Sequence, residues 1–184
     1  MIRVLIVDDQ ELVRAGLRGI LRERYGFDIV GECADGSGVA AAVVRLQPDV
    51  VLMDVRMPVV DGVAATKAIG RVTDPPPVLV LTTFDDDEIL AAALRAGASG
   101  FLLKGVPADD LQRAVRTVAE GGAWLGPRRW VAAATSPCAE CGGARIGAAP
   151  TRMRARRAEP LRRWQRCASR SCPRGPRRRQ RGPW

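Results

Sequence analysis

Four short apolar runs in this chain each end on a polar residue capable of chemistry, and that repeated ending constrains the fold more than any other feature. Val4-Leu5-Ile6-Val7 runs into Asp8-Asp9, Val50-Val51-Leu52-Met53 into Asp54, Val78-Leu79-Val80-Leu81 into Thr82, and Phe101-Leu102-Leu103 into Lys104. Short apolar runs without polar alternation read as strands buried on both faces. A fifth strand is expected over Phe27–Cys33, ended by Asp35-Gly36.

Between the runs the period changes to that of helices. Residues 10–24 place Val13, Leu17, Ile20 and Leu21 on one face, and Val39–Leu46 is stopped by Gln47-Pro48. Further helices are expected over 61–70, closed by Thr73-Asp74-Pro75-Pro76-Pro77, over 85–96, closed by Gly97, and over 108–120, closed by Gly121-Gly122. Strands alternating with helices five times give an α/β fold, a doubly wound five-stranded parallel sheet covered on both faces. Right-handed crossovers point all its strands one way. The four polar endings then share one carboxyl edge, the crevice where open α/β sheets bind ligands.

The pattern stops after Gly122. From Pro127 to Trp184 the aliphatic side chains and Phe reduce to Val131, Ile146, Met153 and Leu161, too few to offset the entropy of ordering 58 residues. That stretch holds sixteen Arg, no Lys, and only Glu140 and Glu159, a charge of +14 that leaves −5 on residues 1–126 out of the net +9. The expected organisation is a folded α/β domain over residues 1–121 and an Arg/Pro/Gly-rich, disordered tail over 122–184.

The amino-terminal apolar run is too short for a signal peptide and meets two carboxylates, and no stretch approaches a membrane span, so a cytoplasmic protein with no membrane partner is expected. Five cysteines in such a chain do not suggest a secreted disulfide scaffold. Cys33 reads as a small buried apolar residue. Cys138-Ala139-Glu140-Cys141 invites a zinc reading with Cys167 and Cys172, but the second pair is spaced by four residues and lacks the turns of a zinc ribbon. The run Arg174 to Arg181 would bind nucleic acid through phosphates without choosing sequence.

Carboxylates crowded at one edge repel and recruit a hard cation, and Mg²⁺ fits best because it accepts a few carboxylates, keeps waters and binds phosphate oxygens. A carboxylate beside such an ion can attack a phosphoryl group and form an acyl phosphate, and Asp54 is the expected nucleophile. Lys104 would pair first with that carboxylate and then with a phosphoryl oxygen. Thr82 would donate its hydroxyl to the same group, and its movement would open space for Phe101. The plainer account, that strand-terminal Asp residues are helix caps, explains the aspartates but not the matching places of Thr82 and Lys104.

These residues resemble a known family. Val7-Asp8-Asp9, Asp54 followed by Arg56-Met57-Pro58 and Asp61-Gly62, Leu81-Thr82-Thr83, and Gly97-Ala98-Ser99-Gly100-Phe101-Leu102-Leu103-Lys104 are similar to the motifs of a response-regulator receiver domain over about residues 2–121. The stretch from Leu94 to Lys104 resembles the NarL/FixJ (LuxR-type) subgroup of transcriptional regulators. The resemblance implies a flavodoxin-like receiver with Asp54 as phosphoacceptor and Mg²⁺ held by Asp8, Asp9, Asp54 and the Arg56 backbone carbonyl. It implies Thr82, Lys104 and Phe101 as the switch set, with Thr82 rather than Thr83 in register with the lysine. Further implications are a sensor histidine kinase as donor, a homodimer through the last helix-strand-helix face, and no turnover beyond the protein's own phosphorylation and slow dephosphorylation. The chain contains no histidine, so the donor must be another molecule.

The subgroup continues after such a Gly-Gly pair into a helix-turn-helix domain, whereas Ala123-Trp124-Leu125-Gly126-Pro127 leads into a segment unable to build one. The output module is therefore expected to be missing or replaced, and a shifted reading frame, or another truncation, in an Arg-codon-rich, high-GC gene would explain the abrupt change. Two other functions stay open from the residues alone. One is a nucleic-acid-binding protein acting through its Arg tail, with DNA as partner but no recognisable helix-turn-helix. The other is a stand-alone receiver acting by protein contact.

Overall fold

The computed structural model describes residues 1–83 and 87–125, the side chain of Asp87 excepted. The expectations for Cys138, Cys141, Cys167 and Cys172, the Arg run, disorder and the output module fall on residues 126–184 and lie outside the described residues.

The strands are β1 Ile2–Val7, β2 Phe27–Cys33, β3 Val50–Asp54, β4 Val78–Thr82, β5 Gly100–Leu103 and β6 Trp124–Leu125. The helices are α1 Glu11–Ile20, α2 Val39–Leu46, α3 Gly62–Ile69, α4 Asp87–Ala96 and α5 Ala108–Ala119. All pairings are parallel, in the order β2-β1-β3-β4-β5-β6. The reversal of strand order beside β1 opens a crevice between β1 and β3 at the carboxyl edge.

Alternation along the strands divides the core in two. Leu5, Val7, Val51, Met53, Val78, Val80 and Phe101 face one side, where α2, α3 and α4 supply Val43, Ile69 and Leu90. Val4, Ile6, Val50, Leu52, Leu79, Leu81 and Leu102 face the other, where α1 and α5 supply Leu17, Leu111 and Val115. Burying each such side chain stabilises the fold by about 1.5–3 kcal/mol. These two layers fix the strands and so place their carboxyl ends.

Two expectations need correction. The sheet has six strands, not five: Trp124–Leu125 adds a parallel edge to Gly100–Phe101. A Cβ on Gly100 would lie 2.2 Å from the Trp124 carbonyl oxygen, so this contact requires glycine. The first helix stops at Ile20 rather than 24. Leu21 turns into the core, 1 % exposed, and a single 3₁₀ turn, Glu23–Tyr25, hands the chain to Gly26, whose φ of +83° starts β2.

Candidate functional site at the carboxyl edge of the sheet

β1 ends at Val7, and the next residue continues its pairing through one more bond, from the Asp8 N–H to the Cys33 carbonyl at 3.1 Å. This draws the Asp8 side chain completely out of solvent. Its Oδ1 accepts from the Gln10 N–H at 2.9 Å, which turns the chain into α1. Asp54 is the last residue of β3, buried, and its backbone is closely approached by the start of α3. A Cβ on Gly62 would lie 2.0 Å from the Asp54 carbonyl oxygen. Asp61 caps that helix by accepting the Ala64 N–H at 2.7 Å.

Lys104 follows β5 and is tied to β4 by its own N–H, which donates to the Thr82 carbonyl at 2.7 Å. From there its ammonium reaches past β4 to the carboxylates, with Nζ 2.7 Å from Asp8 Oδ2 and 3.1 Å from Asp54 Oδ1. The Asp8 oxygen that meets the ammonium is itself buried. Asp9 completes the group: Asp8, Asp9 and Asp54 each bring a carboxylate oxygen within 4.8 Å of the others.

One ammonium therefore serves two buried carboxylates beside a third. Burial pushes the Asp54 carboxyl above its usual range, and Asp8 adds to this, outweighing what Lys104 and the Val55 N–H take away. Burial opposes the Lys104 ammonium, but Asp8 and Asp54 together outweigh it and raise its pKa. The pocket is short of positive charge. Three hard oxygen donors, from two buried carboxylates that share one ammonium and from a third beside them, suit a hard divalent cation.

The remaining expected residues border this group. Thr82 ends β4 and is buried, whereas Thr83 is exposed. Phe101 is 3 % exposed on β5, in the layer that also holds Val80. Arg56 is exposed and lines, with Asp9, Met57, Asp61, Glu88 and Ile89, an open groove of about 680 Å³. Cys33 is half-buried rather than fully buried, and burial raises its thiol pKa.

Sequence reasoning missed a brace behind the pocket. Arg14, on α1, donates to the Asp8 carbonyl at 2.7 Å and pairs with Glu32 at 3.0 Å, and Arg18, one turn on, pairs with the same Glu32. Two arginines one turn apart after an acidic pair, with an acid near the end of β2, were the available signal.

The profile of the response regulator receiver domain matches residues 4–116. The transcriptional regulatory protein LnrK of Bacillus subtilis (strain 168) is 45% identical over 127 residues, covering 69% of this chain and 58% of LnrK. A two-component response regulator of the LuxR family from Aurantimonas sp. SI85-9A1 superposes with a TM-score of 0.65 at 29% identity, covering 69% of this chain and 91% of that one. The isolated receiver domain of RcsB from Salmonella enterica serovar Typhimurium, solved with phosphomimetic BeF3−, superposes with a TM-score of 0.62 at 27% identity, covering 72% of this chain and 97% of that one. The chain thus spans little more than half the length of LnrK. Among the described residues no helix is long and apolar enough to cross a membrane.

Proposed function

This chain belongs to the response regulator receiver domain family, and from that membership we propose that it accepts a phosphoryl group on Asp54 from the phosphohistidine of a sensor histidine kinase. The observation that carries the reading is the buried Asp54 carboxylate, 3.1 Å from the Lys104 ammonium and grouped with Asp8 and Asp9. A carboxylate raised above its usual pKa by burial is the more basic nucleophile, and the charge its phosphoryl group brings would be offset by Lys104 and a divalent cation.

In the transfer, an Asp54 oxygen attacks phosphorus in line with the donor nitrogen. The P–O bond forms, the P–N bond breaks, and its electron pair stays on the imidazole, which takes up a proton. Mg²⁺, held by Asp8, Asp9, Asp54 and the Arg56 backbone carbonyl, would supply positive charge to the phosphoryl oxygens. Lys104 exchanges its contact with Asp54 for one with a phosphoryl oxygen. The Thr82 hydroxyl donates to another, and Phe101, packed in the adjacent layer, fills the space that Thr82 leaves. The chemistry ends on the protein's own side chain, so the chain is an acceptor with slow self-hydrolysis and turns over no separate substrate.

The names of the relatives support the wider role. LnrK is a transcriptional regulatory protein, and RcsB was solved with a phosphoryl mimic. By extension this receiver serves a cytoplasmic transcriptional regulator, with a second copy as dimer partner and DNA as target. The comparisons do not favour a nucleic-acid binder acting through the Arg-rich residues alone. Acid-labile phosphate incorporation from acetyl phosphate tests the core of the reading. It should require Mg²⁺ and disappear in Asp54→Asn, and labelling retained in that variant would overturn it.

A further inference from the structure

Arg14 contributes nothing to the floor of the acidic pocket, yet it holds the turn on which two of the three carboxylates stand. Asp8, Asp9 and Gln10 form the link from β1 to α1, and Gln10 gives that helix no side-chain cap. The link is held from two sides instead. Asp8 folds its own Oδ1 back on the Gln10 N–H at 2.9 Å, and Arg14 Nη1 takes the Asp8 carbonyl at 2.7 Å, just where the β1–β2 pairing has run out. The guanidinium is aimed by its other branch, Nε to Glu32 Oε2 at 3.0 Å, and Glu32 is in turn gripped by Arg18. Only 15% of the Arg14 side chain is exposed, against 45% for Arg18. With the peptide planes on either side of Asp9 held, the direction of its Cα–Cβ bond, from which the carboxylate departs, is set.

We propose that Arg14 is a positioning residue for the cation-binding carboxylates, setting the orientation of Asp8 and Asp9 through the Asp8 carbonyl while Glu32 holds its fork. The proposal rests on the phosphoryl-acceptor reading above. Its consequence runs against simple electrostatics. Arg14 and Arg18 are both cations near an anionic pocket, so removing either charge should by itself tighten divalent-cation binding. A positioning role makes the loss of Arg14 weaken it, as outer partners of metal ligands do.

The test is a MgCl₂ titration of the full chain followed by the NMR amide resonances of Asp9, Gln10 and Val55. Arg14→Met should raise the Mg²⁺ Kd about 10-fold, whereas Arg18→Met, which loses the same charge and the same Glu32 partner but never touches Asp8, should stay within about twofold of the parent or bind more tightly. Arg14→Lys keeps the charge and loses the fork, and its Kd should rise severalfold. That variant decides the matter should the methionine variant not fold. Mg²⁺ binding by Arg14→Met as tight as by Arg18→Met, or by Arg14→Lys as tight as by the parent, would overturn the positioning role. A parent chain whose pocket amides ignore Mg²⁺ would instead overturn the phosphoryl-acceptor reading itself.

Discussion

Leu52 and Asp54 stand two residues apart on the central strand, and both are almost wholly withdrawn from water, yet the fold gains from one and is opposed by the other. Leu52 sits between β1 and β4 neighbours in a layer closed by α1 and α5. Its burial removes apolar surface from water at no polar cost. Asp54 keeps a charge in the same interior and shares the Lys104 ammonium with Asp8. The interior of the sheet therefore stabilises the protein and the carboxyl edge consumes part of that gain. A pocket crowded with carboxylates is left short of positive charge until a cation joins it.

The sharpest probe of the contrast is Leu52→Ala. The residue is fully buried among the side chains that α1 and α5 pack onto the sheet, so the loss should be about 2–5 kcal/mol, read from the midpoint of urea unfolding. Asp54→Asn should move stability the other way. The folded-state pKa of Asp54 is raised, chiefly by burial, so its contribution to stability is fully present below its ordinary value near 3.8 and is lost as pH rises through the raised one. The asparagine variant should consequently be more stable than the parent at neutral pH, by about 1 kcal/mol, the usual scale of one substitution. That gain should vanish as pH falls below the ordinary carboxylate range. Destabilisation by Asp54→Asn at pH 7 would erase the distinction between interior and edge.

Much of this contrast is legible in the amino-acid sequence, because it is written in runs. Four apolar stretches with polar endings locate four strands and gather Asp8, Asp9, Asp54 and Lys104, and Val39–Leu46 is bounded correctly because a proline follows it closely. What escapes a reading of the sequence depends on distant partners. Trp124–Leu125 carries no alternation of its own and becomes a strand only because Gly100 lets the two backbones meet. The end of α1 is misplaced by periodicity since Leu21 continues the helical period while its burial is satisfied by a turn. The brace of Arg14 and Glu32 joins residues 18 apart and exists only because β2 lies beside β1, an adjacency that periodicity does not specify.

Glu32 supplies the smallest and most discriminating comparison, since it is a carboxylate whose charge this fold favours. Burial raises its pKa as it does that of Asp54, but Arg18 and Arg14 both pair with it, and together they hold it below its ordinary value of 4.5. One carboxylate here has two cations, whereas at the pocket two buried carboxylates share one. The sign of the pH dependence follows. Glu32 contributes stability that is present above pH 4.5 and lost as pH falls through its lowered pKa. The Glu32 side chain is 27% exposed and its ion pairs are screened, so Glu32→Gln should cost only about 0.2–1 kcal/mol at pH 7. In acid the parent loses this contribution, so the cost should shrink as pH falls below 4.5, while the gain from Asp54→Asn disappears as pH falls toward 3.8. The two variants should therefore approach the parent from opposite sides as pH falls, in thermal unfolding measured between pH 7 and pH 3. Approach from the same side would mean that the ratio of cations to carboxylates does not set which charges this fold supports.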